Sequence, residues 1–244
     1  MDELLNLLVI NPNSSQSVTD AVRSQLETHN LAANCEFFTG PASSPPSIDD
    51  EETALQSTRA CLPMLLPRLS NFSAFLVACY SDHPLVEELR KHTNAPVTGI
   101  LEASIVQALL VTPPNGKFGI VTTGKQWEHL LSRAVLKFIG LPLDPANDNG
   151  PVCTSSKFAG VGTSGLGVLE LHSRDAGEVK AILGSVAREL VEKRGAGIIC
   201  LGCAGMSGMK EAILSGVEGP GVPIRVVDGV LAGVAFLNSL LAQG

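Results

Sequence analysis

FLVACYSDHPLVEELRK (Phe75–Lys91) and IICLGCAGMSGMKEAI (Ile198–Ile213) lie in different halves of the chain and follow one plan. Each opens with a short apolar run that ends at a cysteine, Cys79 or Cys203, and then passes into a helical pattern. The continuations agree as well. APVTGILEASIVQALL (Ala95–Leu110) and GVPIRVVDGVLAGVAFL (Gly221–Leu237) are each a Pro-led strand, an acid at the strand end (Glu102, Asp228) and an apolar helix. Short apolar runs bounded by turn residues suit strands covered on both faces, as in parallel sheets. The repeat therefore predicts two similar halves, each placing one thiol at the carboxyl end of a strand.

The rest of the chain extends this grammar. Leu4–Asn11 is a near-continuous apolar run, and Asn13, Ser14 and Ser15 offer caps for a helix on Val18, Ala21, Val22 and Leu26. Cys35–Phe38 is a weaker strand. The loop from Gly40 leads to Asp49–Glu52, acids placed where a helix N-terminus favours them, in a helix expected to end near Pro63 or Pro67. A helix over Pro84–His92, capped by Asp82 or His83, and a strand Val97–Leu101 follow. Thr112-Pro-Pro-Asn-Gly is the clearest break, and the grammar restarts beyond it. Strand Lys117–Thr122, helix Gln126–Ile139, a long loop Leu141–Gly167, helix Asp175–Arg194 closed by Gly195, and strand Gly197–Leu201 come next, then a helix after Gly205. Strand Ile224–Val227 and a last helix to Leu241 complete it. Alternating strands and helices predict an α/β protein of two similar parallel-sheet domains, 1–112 with 226–244 and 113–225. A pseudo-dyad would relate them, with the active-site cleft between. Ligands of such sheets bind beyond the strand ends.

Composition narrows the function. The 244 residues are 45% hydrophobic and 17% charged, with net charge −7. That apolar content excludes disorder, and the acidic balance argues against nucleic acid or an anionic membrane as partner. The longest apolar stretch, Val226–Ala242, contains Asp228 and Asn238 and reads as a buried helix rather than a span. No signal peptide is expected in MDELLNLLVINP, so the six cysteines are expected reduced in a cytoplasmic protein. The low charge suggests a homo-oligomer.

Two thiols at matched strand ends can do specific chemistry. A cysteine titrates near pH 8.5, and helix N-termini lower that value. Cys79 and Cys203 both precede expected helix starts. One thiolate and one thiol on opposite faces of a carbon acid suffice to invert its centre. Backbone N–H groups of Tyr80, Ser81, Ala204 and Gly205 would steady the enolate-like intermediate. The sequence offers no H-E-x-x-H, no paired C-x-x-C set and no recognisable Schiff-base lysine, so neither metal nor other cofactor is expected. Buried structural cysteines are the bland alternative for either thiol alone.

Other signals are weaker. Gly160–Gly165 fits G-x-G-x-x-G without strand–turn–helix context, and Gly119–Lys125 departs from a P-loop at Gln126. Cys200 lies inside an apolar run, against a redox C-x-x-C. His83 could activate Cys79 as a hydrolase nucleophile, or simply cap a helix.

The sequence resembles the hydantoin and allantoin racemases of the aspartate/glutamate racemase superfamily. The resemblance rests on Ile10–Ser14, the loop Gly40-Pro41…Pro46-Ser47-Ile48, Ala78–Asp82, Pro96–Ala103, Ile120–Thr123 and Leu201–Met206. It implies a cofactor-independent racemase with Cys79 and Cys203 as acid and base. The implied small-molecule pocket comprises Asn11, Ile48, Tyr80, Ser81, Thr122, Thr123, Ala204 and Gly205, supported by Asn13 and Glu102. Single-cysteine lyases, decarboxylases and isomerases of the superfamily, an amino-acid racemase and a non-catalytic binding protein are the competing expectations.

Overall fold

The computed structural model describes residues 6–141, 156–217 and 224–243. Cys153 and most of the expected 141–167 loop lie outside them. The chain divides into two units, the breaks falling between Ala103 and Ser104 and between Asp228 and Gly229. The sequence expectation placed them at 112/113 and 225/226.

In the first unit, β1 (Leu7–Asn11), β2 (Cys35–Thr39), β3 (Ala74–Val77) and β4 (Val97–Gly99) form a parallel sheet in the order β2-β1-β3-β4. β1 and β3 are buried at every residue, as an apolar run without alternation demands. Helices α1 (Gln16–Thr28), α2 (Glu51–Leu65) and α3 (Pro84–Arg90) connect the strands. α2 starts where its acids gather. Asp50 accepts the Thr53 N–H at 2.8 Å while the Thr53 hydroxyl accepts the Asp50 N–H at 3.1 Å, a reciprocal cap. Pro63 is tolerated inside it, and a 3-10 turn over Leu66–Asn71 follows. The next helix, α4, runs over Ile100–Val111 directly from β4, so the expected strand Val97–Leu101 is cut to three residues.

The second unit repeats the plan. β5 (Lys117–Thr122), β6 (Phe158–Thr163), β7 (Ala196–Leu201) and β8 (Arg225–Asp228) pair in parallel in the order β6-β5-β7-β8. Helices α5 (Gln126–Phe138), α6 (Val168–Ser173), α7 (Ala176–Arg194), α8 (Lys210–Val217) and α9 (Gly229–Leu241) complete the described elements, α9 belonging to the first unit. Gly195 closes α7 at φ 75°, the left-handed cap its sequence position predicts. No helix of the described residues is long and apolar enough to cross a membrane.

The duplication extends to single hydrogen bonds. Ala78 N–H donates to Ile10 O at 2.7 Å, and Gly202 N–H donates to Val121 O at 2.7 Å. Gly40 N–H reaches Asn11 O at 2.8 Å, and Ser164 N–H reaches Thr122 O at 2.9 Å. Cys79 and Cys203 therefore hold equivalent places, one residue past these contacts. The acids do not. Asp228 pairs with Leu201 as the last residue of β8, and its counterpart opposite Val77 is Gly99. Glu102 sits one turn into α4, not at the strand end.

β6 corrects the expected long loop. Its sequence FAGVGT looks like a loop because it holds two glycines, one of which, Gly162, stands where α7 lies against the strand. A Cβ at Gly162 would come within 2.6 Å of Val186 Cγ1. The G-x-G part of the Gly160–Gly165 motif is thus strand, not a phosphate-binding turn. Gly162→Val is expected to cost about 2–3 kcal/mol in a denaturant titration through overpacking. Gly197→Ala, where an added Cβ meets nothing within 4 Å, should be close to neutral.

Candidate functional site

Each sheet gathers part of the expected site at the carboxyl ends of its strands, mainly the two central ones. In the first unit these are Asn11 after Ile10 of β1, Cys79–Ser81 after β3, and Ile48 in the loop that follows β2. The loops are joined, since Ser14 N–H donates to Pro45 O at 3.0 Å. In the second unit they are Thr122 at the end of β5, Thr123 just after it, and Cys203–Gly205 after β7.

Cys79 and Cys203 are both partly exposed. The other described thiols differ. Cys61 and Cys200 are fully buried. Cys35 lies at the amino end of β2, and desolvation pushes its thiol up to about 11. Cys35 is partly exposed as well, so it is exposure combined with a place at the carboxyl end of a central strand that singles out Cys79 and Cys203.

Their surroundings are unequal. Cys203 directly precedes a 3-10 turn over Ala204–Met206. The first N–H groups of such a turn have no partner within it, so those of Ala204 and Gly205 can meet an anionic ligand atom. Cys79 does not sit at a helix start as expected, because α3 begins only at Pro84. A side chain stands beside it instead, the Ser81 hydroxyl at 3.4 Å from Sγ. Ser81 is itself held by its N–H to Cys79 O at 3.1 Å. Tyr80 is 4% exposed and Ile48 6%, apolar bodies buried near the thiol turn and in the neighbouring loop.

Several expected site residues have their polar atoms committed to their own chain. Asn11 Nδ2 donates toward Asn13 Oδ1, Ser15 O and Thr19 Oγ1 at 2.9–3.0 Å, and Asn11 Oδ1 accepts the Asn13 N–H. Asn13 Oδ1 also accepts the Ser15 N–H at 2.9 Å. Thr122 Oγ1 donates to Gly202 O at 2.6 Å. Glu102 accepts from Arg90, Thr98 Oγ1 and the Gly99 N–H. Thr122 thus holds the residue before Cys203, while Asn11 and Asn13 hold the loop after β1 and Glu102 ties the start of α4 to β4 and α3. Thr123 is 3% exposed, its carbonyl taken by the Gly165 N–H at 3.0 Å.

His83 is the helix cap rather than a surface or nucleophile-activating imidazole. It is 2% exposed, and its Nδ1 accepts the Leu85 N–H at 3.2 Å. We therefore place its proton on Nε2, which faces Ser57 Oγ at 3.0 Å, and that hydroxyl donates to Ala54 O at 2.9 Å. Burial lowers its pKa to about 4, so the ring is neutral and fully engaged at pH 7. It cannot take a proton from Cys79.

Sequence reasoning missed Ser57, Ser44 and Cys61. Cys61 Sγ donates to Pro12 O at 3.4 Å and lies 3.5 Å from Ser44 Oγ, pinning the Asn11–Asn13 loop from behind. Such contacts join segments far apart in the chain and leave no local pattern.

Comparison with known proteins accords with this arrangement. A family model described as Asp/Glu/Hydantoin racemase matches residues 7–237. Protein DCG1 of Saccharomyces cerevisiae is 33% identical over 96% of both chains. Hydantoin racemase of Paenarthrobacter aurescens is 28% identical over 98% of this chain and 92% of its own. The crystal structure of allantoin racemase from Pseudomonas fluorescens superposes with a TM-score of 0.79 at 26% identity, covering 98% of this chain and 92% of that one. With the family model spanning nearly the whole sequence and these relatives aligned along its full length, the chain belongs to the Asp/Glu/Hydantoin racemase family.

Proposed function

We propose that the chain is a cofactor-independent racemase of a hydantoin-type ring, allantoin or a 5-substituted hydantoin, acting by proton transfer between Cys79 and Cys203. Racemase activity itself is supported by the family and its hydantoin racemase members. The observation that carries the finer reading is the register equivalence of two partly exposed thiols at the ends of β3 and β7.

In this reading one cysteine, as thiolate, takes the ring C–H proton. The C–H electron pair moves into the adjacent carbonyl and gives an enolate. The other cysteine, as thiol, returns a proton to the opposite face and is left as thiolate. The exchange of roles between the two thiols then matches the exchange of enantiomers. Hydrogen bonds from the Ala204 and Gly205 N–H groups would steady the enolate oxygen. Tyr80 supplies a flat apolar surface suited to a planar ring.

A polarimetric screen of single enantiomers of allantoin, substituted hydantoins, aspartate and glutamate tests this. Loss of rotation is expected with a ring compound, above the buffer rate and without net consumption. Racemisation confined to aspartate or glutamate would reject the ring substrate, and net consumption would favour a lyase.

A further inference from the structure

We propose that Asp228 is a positioning residue for Cys203, acting through Ser207; this rests on the reading of Cys203 as a proton-transfer base. Asp228 is the last residue of β8 and lies beside the end of β7, from which the Cys203 turn departs. Its Oδ2 accepts the Ser207 hydroxyl at 2.6 Å and the Gly208 N–H at 3.2 Å. Gly208 has φ 86°, the left-handed conformation that favours glycine and lets the chain reverse at this point.

The turn is held at its other end too. Thr122 Oγ1 grips Gly202 O, and the Gly202 N–H is bound to Val121 O. A Cβ at Gly202 would fall 2.6 Å from Ile120 Cγ2, so the turn rests directly on β5. Between the two anchors, the Met206 N–H closes on Cys203 O at 3.0 Å and the Ser207 N–H on Ala204 O at 3.1 Å. Cys203 and the two N–H groups that would meet the enolate thus lie on a short span clamped at both ends. Release of one anchor would leave their placement to thermal motion, and loss of about 1 Å in placement can cost 10²-fold in rate.

The equivalent place in the first unit is held in a different way. The fourth residue past each cysteine is a tether, but its anchor differs. His83 reaches back to Ser57 on α2, whereas Ser207 reaches Asp228 on β8. Gly99, the counterpart of Asp228, has no side chain to offer.

The test compares D228A, D228N and S207A, with D228A/S207A as the double variant, using single enantiomers of allantoin and methylhydantoin. D228A should lower kcat about 10–100-fold with KM changed less than about threefold. The amide oxygen introduced by D228N can still accept both hydrogen bonds, so that variant should recover to within about threefold of wild type. The double variant should be no worse than D228A, since both changes break one clamp. The α-deuterium isotope effect should rise only for the enantiomer whose hydrogen Cys203 removes. D228N as impaired as D228A, an additive double variant, or an equal rise for both enantiomers would overturn the clamp. Iodoacetamide labelling followed by peptide mass spectrometry separates the clamp from the function reading. D228A and S207A should change the labelling rate of Cys203 at least about threefold and leave Cys79 unaltered. An unchanged Cys203 rate in S207A overturns the clamp whatever the enzyme acts on. A wild-type chain that racemises no ring substrate overturns only the function reading.

Discussion

Cys79→Ser and Cys203→Ser should each lower racemisation by at least about 10³-fold, the loss typical of removing one member of a catalytic set. A serine hydroxyl is far too weak an acid to supply the resting anion, and its alkoxide is not populated at neutral pH. The double variant should be no slower than the worse single one, because the two groups act in one proton transfer. Each single variant should keep one half-reaction. With Cys203 replaced, Cys79 can still wash the hydrogen out of the enantiomer that faces it, without inverting the centre. Cys200→Ala is the control. That thiol is fully buried within β7, and its loss should leave the rate within a few-fold. Equal loss in Cys200→Ala would mean that the cysteines act through packing.

His83 should make the fold acid-sensitive. Its pKa falls from 6.5 to about 4 on burial, so between these values the unfolded chain binds more protons than the folded one. Stability from this group is complete above pH 6.5 and is lost as the pH falls toward 4. The slope is about 1.4 kcal/mol per pH unit, about 3 kcal/mol over the whole window. Urea titrations at steps between pH 7 and 4.5 measure it. His83→Asn removes the titration while leaving a side chain able to cap α3, so its stability should fall less steeply over the same range. Parallel slopes for His83→Asn and wild type would show that the imidazole is not buried neutral.

How much of this was legible beforehand depends on the range of the interactions. β3 and β7 are unbroken apolar runs and β1 and β5 are apolar but for their ends, a mark that burial on both faces leaves in a sequence. The cap of α2 at Asp50 and the stop of α7 at Gly195 are local chemistry and are read locally. β6 was hidden because the contact of Gly162 with Val186 replaced the side chains that announce a strand. Glu102 and Asp228 look alike as acids near a strand end, but the register separates them by a turn. The thiols were legible because their places repeat. Their supports were not, since the Ser57–His83, Cys61–Pro12 and Ser207–Asp228 contacts each join elements of different sequence origin. The contacts of Asn11 with Asn13, Ser15 and Thr19 and of Thr122 with Gly202 likewise leave no mark in the local pattern.

The central claim is transfer through two different sulfurs, and deuterium placement in the first turnovers tests it most directly. A single enantiomer of the ring substrate is incubated in D₂O, and both enantiomers are separated and weighed by mass spectrometry at low conversion. The account predicts one deuterium in the product enantiomer and almost none in the recovered substrate, because the sulfur that returns the deuteron is not the one that took the proton. Deuterium accumulating in recovered substrate as fast as in product, or product formed with its original hydrogen, would contradict it.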